Sequence, residues 1–246
     1  MVPESAKSMS FPSGQRDEQA WESYAQSYDH ILPILPFYQE AVSRHVAALT
    51  SPGIRSVIDV GAGTGNVAVQ LATRGVRVTA VDVSAGMLAQ LRRKIQAGLH
   101  GTIEIAQQDA QSLSTWPDAA FDGANVLLAL FAMQHARQAL REIMRVVRPG
   151  GVIVATETKR DFQLQPLLGF VELFVAAHPS RDELREHWDR VKNANLALDP
   201  GRRGSRLTVE EVQHELAASG FIITSVMDSH LGQCATICAE KKSTGQ

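Results

Sequence analysis

The sequence predicts an α/β domain with a mostly parallel sheet, and three features carry that prediction. Short apolar runs alternate with helical patterns from residue 56 onward, the signature of βαβ units. The first run leads directly into DVGAGTG at residues 59–65, a turn with glycines at alternate positions. The second and third runs are each followed by an aspartate, Asp82 and Asp109, at the sheet edge where open α/β proteins hold their ligands.

Residues 1–17 are expected to form a flexible N-terminus and 18–246 a single domain. Within 18–50, two helices at 18–30 and 36–49 precede the sheet, separated at Pro33 and Pro36 because proline disfavours helix in the residue before it. Strands are expected at 56–60 (SVIDV), 77–83 (RVTAVDV), 102–108 (TIEIAQQ), 121–130 (FDGANVLLAL) and 151–157 (GVIVATE), with helices at 66–74, 84–97 and 136–148. Ser84 can cap the second of these helices by accepting from a first-turn amide, and Gly98 ends it. Pro149-Gly150-Gly151 stops the third and turns the chain into the fifth strand. Residues 158–206 read as a helical insertion, with Leu164, Leu167, Leu168, Val171, Phe174 and Val175 at helical spacing and a charged helix from about 181. Thr208 to Glu211 is a capping box opening another helix. Residues 221–230 and 233–240, with Gly232 between them, read as a closing hairpin; a tight turn joins antiparallel strands, so one of the two opposes the rest.

The 246 residues include 24 Lys and Arg against 26 Asp and Glu, a formal net charge of −2 with no block of one sign. Nucleic acid and anionic membranes are therefore disfavoured as partners, and a small molecule fits better. The N-terminus lacks the basic-then-apolar layout of a signal peptide, and no run approaches the roughly 18 apolar residues of a membrane span. A soluble cytoplasmic protein, monomer or homodimer, is expected. Cys234 and Cys238 match neither zinc nor redox spacing, and no metal site is expected.

In DVGAGTG the glycines let the chain turn tightly and bring main-chain amides toward a ligand at a helix N-terminus. Asn66 stands where the third glycine of the nicotinamide fingerprint G-x-G-x-x-G would fall. A pyrophosphate beside Asp59 would meet like charge, whereas a cation is favoured there, so a nicotinamide oxidoreductase is disfavoured. Asp82 follows Gly61 by 21 residues, close to the offset at which an acid grips ribose hydroxyls. Asp109, after Gln107-Gln108, can accept from an exocyclic amine such as that of adenine. A cationic amino acid joined to adenosine satisfies all three acids.

This set resembles the class I S-adenosylmethionine-dependent methyltransferases. The family loop D/E-x-G-x-G-x-G is matched by Asp59 to Gly65, and its acids after the second and third strands by Asp82 and Asp109. FDGANVLLALFAMQHARQALREIMRVVRPGGVIVATE is similar to the family's fourth strand, helix and fifth strand, and LTVEEVQHELAASGF to its last helix. The resemblance implies a Rossmann-like, seven-stranded, mostly parallel sheet in the order 3-2-1-4-5-7-6, with an antiparallel last strand and helices on both faces. The N-terminal helices and the insertion after the fifth strand would form a cap. It also implies S-adenosylmethionine as cofactor and S-adenosylhomocysteine as product, held by Asp59, Gly61, Ala62, Gly63, Gly65, Asp82, Val83, Met87, Asp109, Ala110 and Leu127. WESYAQSYDHILP resembles the ubiquinone and menaquinone branch, where a Tyr-Asp pair helps close over the cofactor; this points to Tyr28, then Tyr24.

The activity so implied is methyl transfer to an N, O or C atom of a small, largely apolar metabolite, driven mainly by proximity and orientation. Tyr24, Phe131, Gln134, Phe170 and Phe174 are candidate acceptor contacts. His135 can take a proton from a substrate hydroxyl, although the family's histidine pair is replaced by Phe131-Ala132 and His135 equally suits the start of the next helix. His178, His187 and Trp188 read equally as helix-surface or core residues. The segment beginning Asn125-Val-Leu-Leu lacks the Asn-Pro-Pro-Tyr motif that stacks a flipped adenine. The alternative is a cofactor-binding protein of the same fold that does not methylate, either a rearrangement or cyclisation catalyst or a partner subunit.

Overall fold

A computed structural model of the chain describes residues 24–98, 101–197 and 207–243. The expected flexible segment 1–17, the start of the 18–30 helix and the 198–206 end of the insertion lie outside the described residues. Residues 24–31 are helical (α1), and a 3-10 turn at Leu32–Ile34 leads into α2 (Pro36–Leu49). Pro36 opens α2 in the first turn, where a missing N–H has no helical partner to lose. Then follow β1 (Ser56–Val60), α3 (Asn66–Ala72), β2 (Arg77–Asp82), α4 (Ala85–Gln96), β3 (Ile103–Gln107), β4 (Phe121–Leu127), α5 (Ala136–Val146) and β5 (Val147–Thr158). The insertion is α6 (Leu164–Ala177) and α7 (Arg181–Ala197); α8 (Val209–Ala218), β6 (Phe221–Ser229) and β7 (Cys234–Lys241) close the chain.

The sheet order is β3-β2-β1-β4-β5-β7-β6, as the resemblance implies. Strands β1 to β5 are parallel, and β7 is antiparallel to both of its neighbours. The order reverses between β1 and β4, which fixes where a ligand crevice opens. Alternation along β1 sends Val57 to one face and Ile58 to the other, so each face carries its own apolar layer. Val42, Val46 and Leu49 of α2 pack on the first face, and Ile143 of α5 and Val212 of α8 on the second. Gly123 lets α2 approach β4, since a Cβ there would lie 2.9 Å from Leu49 Cδ2. Both expected caps form: Ser84 Oγ accepts from the Met87 N–H (3.1 Å), and Thr208 and Glu211 satisfy each other reciprocally.

Two boundaries differ from the sequence reading by more than two residues. Strand β5 begins at Val147, because Val147 pairs with Phe121 while Val152 pairs with Gly123; Pro149-Gly150-Gly151 is an irregularity inside the strand rather than its start. Strand β4 ends at Leu127, because Leu128 takes φ +51 and a 3-10 turn follows at Leu130–Ala132. Among the described residues, no helix is long and apolar enough to cross a membrane.

Candidate active site

The site begins where β1 ends. Gly61, Gly63 and Gly65 adopt φ +67, +56 and +80, a region that favours glycine. A Cβ at Gly61 would lie 2.4 Å from Ala129 Cβ, and one at Gly65 2.3 Å from Leu91 Cδ1. At Gly63 the nearest atom would be Met87 Sδ at 3.9 Å, because that side faces a cavity. The expectation that the turn's amides reach a ligand does not hold at four of them. Gly61 and Ala62 donate to Val81 O (2.8 and 3.0 Å), Gly63 to Asp82 Oδ2 (2.8 Å), and Gly65 to Ala62 O (2.9 Å). The end of β2 consumes the donors a phosphate would need, and carboxylate faces the cavity instead.

Asp59 is 2% exposed. Its Oδ1 accepts from Asn125 Nδ2 at 2.6 Å, while Oδ2 has no hydrogen-bond partner among the described residues. Behind it runs a directed chain. Since Asn125 Oδ1 is an acceptor, His45 Nδ1 donates to it, which leaves His45 Nε2 to accept from Thr156 Oγ1 (2.7 Å), itself bonded to Thr236 Oγ1 (2.7 Å). Burial holds His45 neutral, down at about 4. Burial pushes Asp59 up to about 7, with the Asp82 charge adding to it, against the pull of the Asn125 and Ala68 amides. An adjacent cation would offset that desolvation.

Asp82 ends β2, where its Oδ2 accepts from the Gly63 N–H and its Oδ1 from the Ser84 N–H (2.9 Å). Asp109 is exposed at the cavity rim, and its two oxygens accept from the Gln111 N–H (2.8 Å) and Nε2 (2.7 Å).

The cavity measures about 530 Å³ and opens at the strand ends beside the switch point. The structure brings Tyr28, Asp59, Gly61, Ala62, Gly63, Asp82, Val83, Met87, Asp109, Ala110 and Leu127 to its wall; Gly65 supports the turn from behind. Tyr24, Phe131 and Gln134 also line it, with Phe37, Tyr38, Leu164, Leu168 and Trp188 from α2, α6 and α7. Phe170 and Phe174 stand outside the wall, Phe170 edge-on to Phe37 (5.6 Å) and Phe174 stacked on Phe170 (6.2 Å). His135 is exposed just before α5, its backbone N–H donating to Gln111 Oε1 (2.8 Å), and it does not line the cavity. His178 accepts from the Ser180 N–H, His187 stacks on His30 at 3.7 Å, and Trp188 donates to Glu172 Oε2 at 2.8 Å.

Helix α1 is fastened to the glycine turn. Thr64 Oγ1 donates to Asp29 Oδ1 (2.6 Å), and Lys94 pairs with Asp29 (2.9 Å) while donating to Asn66 Oδ1 (2.8 Å). Tyr28 and Tyr38 share a hydrogen bond at 3.1 Å, and burial raises both phenols, Tyr38 to about 12. The sequence reading passed over His45, Thr158 and His230. His45 carried a signal, since it falls in the apolar stripe Tyr38, Ala41, Val42, Val46, Leu49 of α2 where a polar side chain needs buried partners.

The orphaned acid, the Cβ-free turn and the Asp82 carboxylate on the cavity wall fit a cationic adenosyl ligand. A family model for a methyltransferase domain matches residues 58–155. The chain is 35% identical over 158 residues to the O-methyltransferase resE of Aspergillus sclerotiorum, covering 60% of this chain and spanning 58% of that protein's length. It is 26% identical over 231 residues to the ubiquinone/menaquinone biosynthesis C-methyltransferase UbiE of Pseudomonas savastanoi pv. phaseolicola, covering 79% of this chain and 87% of that one. The crystal structure of the cyclase SpnF superposes with a TM-score of 0.60 at 21% identity, covering 84% of this chain and 81% of that one, a likeness of fold. Residues 58–155 match a methyltransferase domain, and in sheet order and site the chain resembles the class I S-adenosylmethionine-dependent methyltransferases, UbiE among them, a likeness that supports S-adenosylmethionine as cofactor.

Proposed function

We propose that the protein transfers a methyl group from S-adenosylmethionine to an N, O or C atom of a small, largely apolar acceptor seated beneath α1, α2, α6 and α7. The observation that carries this reading is the division of one cavity into two kinds of wall. At one end the unpartnered Asp59 Oδ2 suits an ammonium group; at the other the lining is aromatic and aliphatic. Asp59 would hold the cofactor's cationic end, Asp82 its ribose hydroxyls, and Asp109 the edge of its adenine.

The cofactor supplies a methyl group already activated on a positively charged sulfur. What the chain adds is positioning and exclusion of water, which can be worth roughly 7–11 kcal/mol. The Asp29 contacts hold α1 over the turn, and Trp188, buried on α7, closes the far side. Soluble, cytoplasmic action on a metabolite belongs to this reading.

Incubating the purified protein with S-adenosylmethionine and a metabolite panel should yield S-adenosylhomocysteine together with a methylated product. Cofactor binding without turnover would favour the second reading, a catalyst of rearrangement or cyclisation, which the likeness to the cyclase SpnF brings in.

A further inference from the structure

The apolar end of the cavity is interrupted by two buried polar atoms that nothing among the described residues satisfies. His230 is 4% exposed and lines the cavity; its Nδ1 is bonded to Ser229 Oγ at 2.8 Å, while Nε2 has no partner among the described residues. Thr158, 2% exposed on the same wall, has an unpartnered Oγ1. Both belong to one wall of the cavity: Thr158 pairs with Cys234 on β7, and Cys234 pairs with Ser229 on β6, the residue before His230. An unsatisfied buried polar group is costly, and two on one cavity wall call for an occupant.

The backbone supports the same conclusion. Gly232 N–H returns to Ser229 O at 3.0 Å, and both central residues of that turn, His230 (φ +48) and Leu231 (φ +55), are left-handed. Asn-Gly is the usual pair for such a turn, so His-Leu is retained at a conformational cost. The turn is also anchored toward the cavity mouth, where Gln233 Oε1 accepts from the Gln163 N–H (2.8 Å) and its carbonyl from the Lys159 N–H (3.0 Å).

We propose that His230 and Thr158 form a subsite for a hydroxyl group on the acceptor, so that the acceptor is an apolar molecule bearing a phenolic or alcoholic O–H. A hydroxyl both donates and accepts, which satisfies either tautomer of the imidazole together with the Thr158 hydroxyl. With Nδ1–H donating to Ser229, Nε2 takes the hydroxyl proton as a hydrogen bond. Phe37 lies edge-tilted over His230 at 5.1 Å and Tyr38 at 6.5 Å, placing aromatic surface beside the polar pair. This inference rests on the methyltransferase reading of the same cavity.

The test uses the full chain saturated with S-adenosylhomocysteine and three probes: β-naphthol, naphthalene and the methyl ether of β-naphthol. Calorimetry should show β-naphthol binding roughly tenfold tighter than either of the others. That preference should vanish in His230→Asn, a residue that tolerates positive φ, and in the near-isosteric Thr158→Val, with S-adenosylhomocysteine affinity unchanged in both as the check on folding. Equal binding of the three probes, no binding of β-naphthol, or a preference that survives both substitutions would overturn the subsite. Failure of S-adenosylhomocysteine itself to bind would overturn the reading beneath it instead.

Discussion

Asn125 donates to Asp59 Oδ1 at 2.6 Å and leaves Oδ2 buried and unpaired at the floor of the glycine turn. The bond ties the proposed cofactor end of the cavity to His45 on α2 and to Thr156 and Thr236 across the sheet. Asn125→Leu removes both the donor to Asp59 and the acceptor for His45. It should lower unfolding stability by about 2–4 kcal/mol and weaken S-adenosylhomocysteine binding, read by urea denaturation and calorimetry. Unchanged stability would show that the network is not coupled to the fold.

The glycines should separate by role. Gly65→Ala forces a Cβ into Leu91 as well as an unfavourable φ, and should destabilise the ligand-free protein by more than about 2 kcal/mol. Gly63→Ala meets open space, so it should cost only the roughly 1–2 kcal/mol of its positive φ while abolishing detectable cofactor binding. Thermal melts paired with titrations decide this, and a Gly63→Ala protein that binds normally would show that the ligand does not approach the turn there.

Stability should depend on pH in a specified direction. Burial raises Asp59 from 3.8 to about 7 and Glu157 from 4.5 to about 8, so the folded protein keeps protons that the unfolded chain releases. Their contribution is complete below the unfolded values and is lost as pH rises through 7 and 8. Burial lowers His45 and His230 from 6.5 to about 4, so theirs is complete above 6.5 and is lost as pH falls toward 4. The ligand-free melting temperature should therefore be highest between about pH 5 and 6.5 and fall by pH 8. Saturating S-adenosylhomocysteine should flatten the alkaline side, because its ammonium favours ionised Asp59. A ligand-free profile rising from pH 6.5 to 8 would contradict these assignments.

Much of this fold was legible because its signals are local and periodic. Alternating apolar runs gave the strands, Ser84 and Thr208 announced helix starts, and DVGAGTG located the turn. The clustering of the acids on one cavity wall followed, since strand ends in a parallel sheet converge on one edge. What escaped depends on register between distant strands. Thr158 and His230 come to one cavity wall only through the pairing of Thr158 and Ser229 with Cys234, and the left-handed backbone at His230 answers no sequence rule. Phe170 and Phe174 fit the apolar period of α6 but pack beside the cavity wall without lining it, and periodicity alone does not say which residues of a stripe face a ligand.

Asp29 should act on closure rather than folding. Asp29→Asn weakens the contacts to Thr64 and Lys94, and its expected effect is a loss of about 1 kcal/mol in cofactor affinity, mostly as faster release, with little change in melting temperature. Stopped-flow displacement measures the release rate. An unchanged rate would mean that α1 does not govern cofactor exit.

The central claim is that acids at neighbouring strand ends hold a cationic adenosyl compound, and calorimetric titration with S-adenosylhomocysteine tests it most directly. Saturable one-to-one binding by the unaltered chain is predicted, with at least a tenfold loss in Asp82→Ala from the missing charge-assisted ribose contact. No binding by the unaltered protein, or full affinity in Asp82→Ala, would contradict it.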